Sequence, residues 1–123
     1  MSTDKLAPFL DQRCINLETY RKSGQAVKTP VWFVLADRAI YVVTASTTGK
    51  VKRLRNDKDI RIVPCSFRGK PKGDWVEGEA YFADPAESER ALKLRKKKYG
   101  LQAKLANIFA SRKGELVVIG IKI

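Results

Sequence analysis

Residues 26–45 read AVKTPVWFVLADRAIYVVTA, and this stretch decides the fold. Residues 26–35 and 39–45 are rich in Val, Trp, Phe, Ile and Tyr, which is typical of β-strands. Ala36-Asp37-Arg38 joins them, so the stretch predicts a β-hairpin. Pro30 lies inside the first strand and has no amide to donate to a neighbouring strand. We therefore expect an edge, a bulge or a bound ligand beside Pro30.

The chain on both sides of this hairpin continues the pattern. Four further segments alternate like strands, at 13–20, 59–67, 75–82 and 116–123, and short helices are predicted near 6–10 and 47–55. Asp84-Pro85 begins a third helical region, in which Tyr99-Gly100 separates two stretches. The second stretch carries an apolar stripe of Leu101, Leu105, Ile108 and Phe109. These elements predict a mainly β or α+β fold, a six-stranded barrel with short flanking helices, in one domain over 1–123.

The last predicted strand is apolar on both faces. Val117, Ile119, Ile121 and Ile123 share one face, while Leu116 and Val118 lie on the other. Such a strand is either central in the barrel or buried against a second subunit, and on this basis we predict a homodimer.

Composition limits the function classes. The chain has 25 Lys and Arg against 13 Asp and Glu, a net charge of +12, which attracts anions. It has no histidine, which excludes Ser-His-Asp and Cys-His catalysis and leaves no convincing metal site. Cys14 and Cys65 have no CxxC partner, so buried free thiols are favoured over a bridge or a reactive site. No apolar run is long enough for a membrane span and the first residues do not resemble a signal peptide, so a cytoplasmic location is expected.

The segment after the hairpin favours phosphate binding. Ser46-Thr47-Thr48-Gly49-Lys50 joins a strand to a helix, and the start of a helix offers backbone amides and a positive dipole to an anion. Gly49 allows close approach, Lys50 adds a positive charge, and Arg53 adds a planar guanidinium. The segment is not a Walker A loop, because Thr44 and Val51 stand where that pattern needs Gly and Ser or Thr. A capped basic helix exposed to solvent is the alternative interpretation.

From Ile15 to about Tyr81 the chain resembles the pyridoxamine 5'-phosphate oxidase-like proteins, which have an FMN-binding split β-barrel. More narrowly, it is similar to the small oxidoreductases described as dependent on coenzyme F420. The resemblance is carried by residues 15–24 (INLETYRKSG), 28–34 (KTPVWFV), 41–42 (YV) and 48–55 (TGKVKRLR).

This resemblance implies a homodimer with two cofactor sites at the subunit interface. It implies that one strand lies along the cofactor ring, formed here by Thr29, Pro30, Val31 and Trp32, and it would explain Pro30 by a ligand beside the backbone. The phosphate roles map onto Thr44, Ser46, Thr48, Gly49, Lys50 and Lys52. An aromatic residue near the ring comes from the partner chain, and Trp75 is the candidate, with a core tryptophan as the alternative. Pyridoxamine phosphate itself is not expected as substrate, because the true oxidases are longer and carry further residues for it.

The expected cofactor is FMN or F420, which share a phosphate on a ribityl chain. The longer anionic tail of F420 needs a positive path, for which the candidates are Lys52, Arg53, Arg55 and Arg61, or the loop with Arg68, Lys70 and Lys72. The resulting hypothesis is an oxidoreductase that transfers hydride to or from a small organic substrate. The basic segment from Arg90 to Lys104 supports an alternative, a nucleic-acid-binding module, although a solvated helix face is favoured. A non-catalytic cofactor carrier of the same fold is a third possibility.

Overall fold

A computed structural model describes residues 5–36, 39–66, 68–100 and 115–123. Within these ranges a single turn of 3-10 helix, Ala7–Phe9, precedes seven strands and two α-helices. The strands are β1 (Cys14–Tyr20), β2 (Ala26–Trp32), β3 (Val34–Ala36), β4 (Ala39–Ala45), β5 (Asp59–Cys65), β6 (Val76–Phe82) and β7 (Leu116–Lys122). The helices are α1 (Gly49–Asn56) and α2 (Pro85–Tyr99). The predicted second helical stretch, with Leu101, Leu105, Ile108 and Phe109, lies outside the described residues.

All paired strands are antiparallel and form one sheet in the order β2-β1-β5-β6-β7-β4-β3. Strands β2 and β3 follow each other in the chain with Phe33 alone between them, yet they occupy opposite edges of the sheet. The two edges must therefore lie close together, so the sheet curls into the split barrel that was predicted.

Seven strands are present instead of six because the predicted strand 26–35 is interrupted at Phe33. The Phe33 amide donates to the Tyr99 hydroxyl at 3.2 Å, and its carbonyl accepts from Lys98 Nζ at 2.8 Å. The Tyr99 hydroxyl also lies 2.9 Å from that carbonyl. Side chains of α2 thus replace strand partners at this residue, and the chain passes there from one sheet edge to the other.

The inside of the barrel is a single apolar cluster. Ile15, Leu17, Ile40 and Val42 belong to it, as do Val51 and Leu54 of α1, all of them nearly or fully buried. Because α1 contributes to this cluster, it covers one end of the barrel. The remaining buried members are Phe9, Phe33, Ile60, Ile62, Ala80, Ile119 and Ile121.

Strand β7 lies between β6 and β4, so it is central. Ile119 and Ile121 point into the barrel, while Val118 belongs to a second cluster beneath α2. The fold thus accounts for both apolar faces of this strand without a second subunit, and the homodimer now rests on the family resemblance.

Helix α2 begins as the sequence predicts. The Asp84 carboxylate accepts the Glu87 amide at 2.8 Å, and Pro85 occupies the first turn. No helix in the part of the chain that the structure describes is long and apolar enough to cross a membrane.

Candidate cofactor site

The start of α1 presents backbone amides that its own cap residue leaves open. Thr48 is the N-cap, but its hydroxyl donates to the Ala45 carbonyl at 2.9 Å and makes no cap hydrogen bond. The Thr44 hydroxyl lies 3.3 Å from the Thr48 hydroxyl, which ties the end of β4 to the helix start. The Ser46 amide is held by the Glu115 carbonyl at 2.8 Å, and its side chain is half-buried. The first turn of α1 contains no acidic residue, which suits an anion at this position.

Arg53 folds back over this helix start. Its Nε donates to the Thr19 hydroxyl at 2.6 Å, and Thr19 is buried on β1. Arg53 lies one helical turn after Gly49, and a Cβ on Gly49 would lie 2.8 Å from Arg53 Nη1. The absence of a side chain at Gly49 thus makes room for the guanidinium at the start of the helix. The sequence indicates Gly49 and Arg53 as separate candidates for the phosphate site, and only the fold shows that they lie next to each other.

The electrostatics of Arg53 favour an anion. Burial, and secondly the neighbouring Arg21, lower the pKa of its guanidinium. Among the described residues no carboxylate forms an ion pair with Arg53. A half-buried cation beside a second cation is stabilised by a bound anion, because the anion offsets both the desolvation and the repulsion. Lys50 is half-buried at the second position of α1, and Lys52 is exposed.

Strand β2 has a free edge, which confirms the first of the three explanations offered for Pro30. Within the described residues it pairs with β1 alone. The Arg21 amide donates to Gln25, so the odd-numbered residues of β2 direct their backbone groups towards β1. The even-numbered residues consequently face the free edge with the amides of Lys28 and Trp32 and the carbonyl of Pro30. Because no strand pairs with this edge, the missing amide of Pro30 does not remove a hydrogen bond from the sheet.

The four predicted ring-contact residues divide between the two faces of the sheet. Thr29 and Val31 lie on the barrel side, opposite Leu17 and Ile15, while Pro30 and Trp32 lie on the outer side. The Trp32 indole stacks on the Tyr99 ring, with centroids 4.5 Å apart and planes 7° apart. This tryptophan therefore packs against α2, and a ligand beside β2 meets chiefly its backbone.

Trp75 lies on the outer face, close to two cations. Lys28 Nζ is 5.2 Å from its ring centroid and Arg61 Cζ is 5.3 Å from it. This is the face opposite to Thr29 and Val31 of the same chain. The structure thus does not bring Trp75 together with the barrel-side residues of β2 within one copy.

The two proposed parts of the site are aligned along β1 and β2. Arg53 is anchored on Thr19, and Thr19 is the register partner of Val27, which lies three residues before Pro30. At about 3.3 Å per residue, the cation and the Pro30 edge are therefore offset by ~10 Å along the strand. An anion-binding end and a flat strand edge at this offset suit a ligand with a phosphate on a short chain and a planar ring.

Glu18 forms an ion pair on the outer face that the sequence does not indicate. Its carboxylate is 1% exposed, accepts Arg61 Nε at 2.5 Å and Nη2 at 3.0 Å, and accepts the Tyr20 hydroxyl at 2.7 Å. The Arg61 hydrogen bond is the largest influence and holds the pKa of Glu18 below its ordinary value of 4.5, although burial acts in the opposite direction. Arg61 therefore pairs with Glu18 on the outer face. It does not belong to a positive path from the start of α1 for the F420 tail.

We expect Glu18→Gln to lower the free energy of unfolding by about 2 kcal/mol at neutral pH, because Arg61 loses a charged partner. The folded-state pKa of Glu18 is depressed, so this contribution is complete above the unfolded-state pKa and is lost as pH falls through the folded-state value. Urea unfolding of both proteins from neutral pH to below 4.5 should show the difference shrinking. Glu89→Gln is the control, because its pair with Lys93 is exposed on both sides. A Glu18→Gln effect that is constant with pH would contradict this assignment.

A second network fastens α2 to the sheet. The Glu87 carboxylate accepts the hydroxyls of Tyr41 and Tyr81, each at 2.7 Å. The Tyr81 hydroxyl also lies 3.4 Å from the Tyr41 hydroxyl. Burial first, and then the hydrogen bonds of Tyr81 to Tyr41 and to Glu87, raise the pKa of Tyr81. No spacing in the sequence indicates this triad, since its members come from β4, β6 and α2.

The basic cluster of α2 is not one uniform cationic face. Arg95 is buried, with its guanidinium carbon 5.7 Å from the Trp32 ring centroid, and Lys98 reaches the Phe33 carbonyl. Lys93 pairs with Glu89 across one helical turn. Lys104 lies outside the described residues. Several cations of the predicted nucleic-acid-binding segment therefore have roles within the fold, which weakens that alternative.

Comparisons with known proteins agree with this architecture. The family model for pyridoxamine 5'-phosphate oxidase matches residues 2–123. No curated protein matches the sequence significantly.

Three solved structures illustrate the range of similar folds. A conserved hypothetical protein, Rv2991 from Mycobacterium tuberculosis, is 17% identical with a TM-score of 0.72, covering 98% of this chain and 78% of that one. The heme storage protein HutZ from Vibrio cholerae is 10% identical with a TM-score of 0.74, covering 98% and 87%. An FAD-binding protein from Mesorhizobium loti is 14% identical with a TM-score of 0.67, covering 100% and 87%. At these identities the likeness shows the fold alone.

Proposed function

This chain belongs to the pyridoxamine 5'-phosphate oxidase family, and on that premise we propose that it binds FMN or coenzyme F420 and acts as an oxidoreductase on a small organic substrate. One observation carries the proposal. The half-buried Arg53, which has no ion-paired carboxylate among the described residues, lies over the start of α1, where the Thr48 side chain makes no cap hydrogen bond, and the free edge of β2 lies ~10 Å further along the sheet.

In this proposal the residues of the chain bind the cofactor and orient its ring. Arg53, Lys50 and the first-turn amides of α1 neutralise and fix the phosphate, with Thr44, Ser46 and Thr48 lining the approach. The free edge of β2 lies along the ring, where the amides of Lys28 and Trp32 donate to ring acceptors. The bound cofactor supplies hydride transfer, and no protein acid or base is assigned.

Flavin chemistry is favoured over heme by the residues present. Similar folds include a heme storage protein and an FAD-binding protein, so both ligand classes are relevant. Heme is commonly held through a histidine, and the chain has none. Heme also carries no phosphate, whereas the start of α1 suits one.

A homodimer is part of the proposal. Trp75 of each copy lies on the face opposite to Thr29 and Val31 of its own chain. The family resemblance assigns the aromatic residue near the ring to the partner chain, so the proposal places Trp75 of a second copy there. Light scattering of the purified protein, with and without cofactor, tests this assembly.

Reconstitution tests the proposed function. We expect purified protein to bind FMN or F420 at micromolar concentrations or tighter, with quenching of cofactor fluorescence, and excess inorganic phosphate to weaken this binding. Hemin serves as the comparison ligand and should be insensitive to phosphate. Failure to bind either phosphorylated cofactor would overturn the proposal.

Turnover separates an enzyme from a carrier. With reduced cofactor and a panel of quinone, nitro and enone acceptors, oxidation faster than that of free cofactor indicates an oxidoreductase. Tight binding without acceleration indicates a carrier. Binding to generic DNA or RNA with an affinity that falls steeply as the salt concentration rises would instead support the nucleic-acid-binding module.

A further inference from the structure

The two cysteines are direct neighbours across the sheet. Register pairs Cys14 at the start of β1 with Cys65 at the end of β5, so both side chains lie on the same outer face. Both are free thiols and both are buried, with 6% and 3% of their surfaces exposed. Nothing in their sequence positions indicates this pairing.

The hydrogen-bond pattern defines the geometry of the pair. The Lys72 amide donates to the Pro64 carbonyl and the Ser66 amide donates to the Lys70 carbonyl, so the backbone groups of Cys65 point the other way, towards β1. Cys14 and Cys65 therefore form a hydrogen-bonded pair, whose Cα atoms are ordinarily about 5.5 Å apart. That separation lies within the disulfide range of roughly 4.4–6.8 Å.

The same pattern implies a strained bridge. Cβ atoms of directly opposite residues lie ~4.5–5.5 Å apart, and hydrogen-bonded pairs are at the wide end of this range. In a relaxed disulfide the two Cβ atoms are about 3.8 Å apart. Closing the bond therefore pulls β1 and β5 together, and a strained disulfide is readily reduced.

The surroundings shield the two thiols from other reagents and leave them next to each other. Burial, and secondly the neighbouring Cys14, raise the pKa of Cys65, while Lys72 opposes this. Pro71 forms a β-bridge with Cys65, so the loop after β5 lies beside this residue in the sheet. Burial of both thiols hinders large reagents from solvent, and among the described residues the only other sulfur for each cysteine is that of its partner.

We propose that Cys14 and Cys65 are a reversible redox pair that closes as an intramolecular disulfide between β1 and β5. Each thiol loses its hydrogen, one S–S bond forms, and the two electrons and two protons pass to a two-electron oxidant. Hydrogen peroxide becomes two waters in this step, and a diazene such as diamide becomes the hydrazine. The proposal does not depend on cofactor binding.

The test is mild oxidation of the native protein with diamide, followed by alkylation and tryptic digestion without reductant. We expect the chain to lose two hydrogen masses and peptides 14–21 (CINLETYR) and 62–68 (IVPCSFR) to appear joined. Glutathione at a large excess over its disulfide should restore both thiols. Cys14→Ser and Cys65→Ala should each remove the mass loss, with circular dichroism confirming that both fold.

A displaced thiol is the matched control. In the Cys65→Ala, Val63→Cys double variant the new thiol lies diagonally from Cys14, at roughly 7–8 Å, so native oxidation should not close a bridge. Three results would overturn the proposal: a bridge that forms only in urea, a disulfide between chains, or oxidation that adds oxygen or reagent mass to either cysteine.

Discussion

Replacing Arg53 by glutamine is expected to weaken FMN or F420 binding by about 10- to 100-fold. A hydrogen bond to a charged group contributes roughly 1.5–3 kcal/mol, and about 1.4 kcal/mol corresponds to tenfold in affinity. Arg53 is held over the start of α1 by Thr19, so its guanidinium is already in place for a phosphate. Fluorescence titration of the cofactor measures the change.

Arg55→Gln is the matched control, since it removes the same charge from an exposed position of the same helix. It should change the affinity for FMN less than about threefold, because FMN has no anionic tail beyond its phosphate and exposed charges are screened. Arg53→Lys keeps the charge but loses the planar fork, and should fall between the two. Equal losses for Arg53→Gln and Arg55→Gln would show that general charge, and not the geometry at Gly49, governs binding.

Replacing Gly120 by alanine is expected to destabilise the fold by about 2–3 kcal/mol. Gly120 lies opposite both Tyr81 and Tyr41 in register, and an added Cβ would lie 2.5 Å from Tyr81 Cε1. The ring must move away, which costs overpacking strain and disturbs its hydrogen bond to Glu87. Thermal or urea unfolding, with Glu87 and both tyrosines left intact, measures the loss.

Gly73→Ala is the control, because no atom lies within 4 Å of the added Cβ there. Its stability should remain within about 0.5 kcal/mol of the parent protein. The double variant Gly120→Ala, Tyr81→Ala should be less destabilised than the sum of its single changes, since the clash is absent once the ring is removed. Additive losses would mean that the two residues do not interact.

The pattern of the sequence predicts most of the barrel because strand signals are local. Alternation in β1 puts Ile15 and Leu17 on one face and Asn16 on the other, and in the fold the two apolar residues belong to the barrel cluster. The start of α2 at Asp84-Pro85 follows from side-chain and backbone chemistry within four residues. The break at Phe33 does not follow in this way, since it depends on Lys98 and Tyr99, some 65 residues later.

The candidate site was predictable in its parts and not in its arrangement. Ser46 to Lys50 and Arg53 indicate an anion site because a helix start and cations are visible in sequence. The anchoring of Arg53 on Thr19 joins α1 to β1, and no periodicity connects those segments. Trp32 and Trp75 show the same limit, because an aromatic residue in a strand pattern does not reveal what stacks on it.

The sequence by itself predicted the two described helices and the strands apart from the break at Phe33, because these depend on neighbours within a few residues. At Pro30 it left an edge, a bulge or a ligand open, and at the start of α1 it predicted an anion site. Tertiary structure alone decided which residues meet across the sheet. It closed the barrel through Phe33, buried Glu18 against Arg61, turned Arg53 over Gly49, and set Cys14 opposite Cys65. The physical reason is register: strands distant in the chain are aligned by burial of the whole apolar face, and that alignment is a property of the folded sheet.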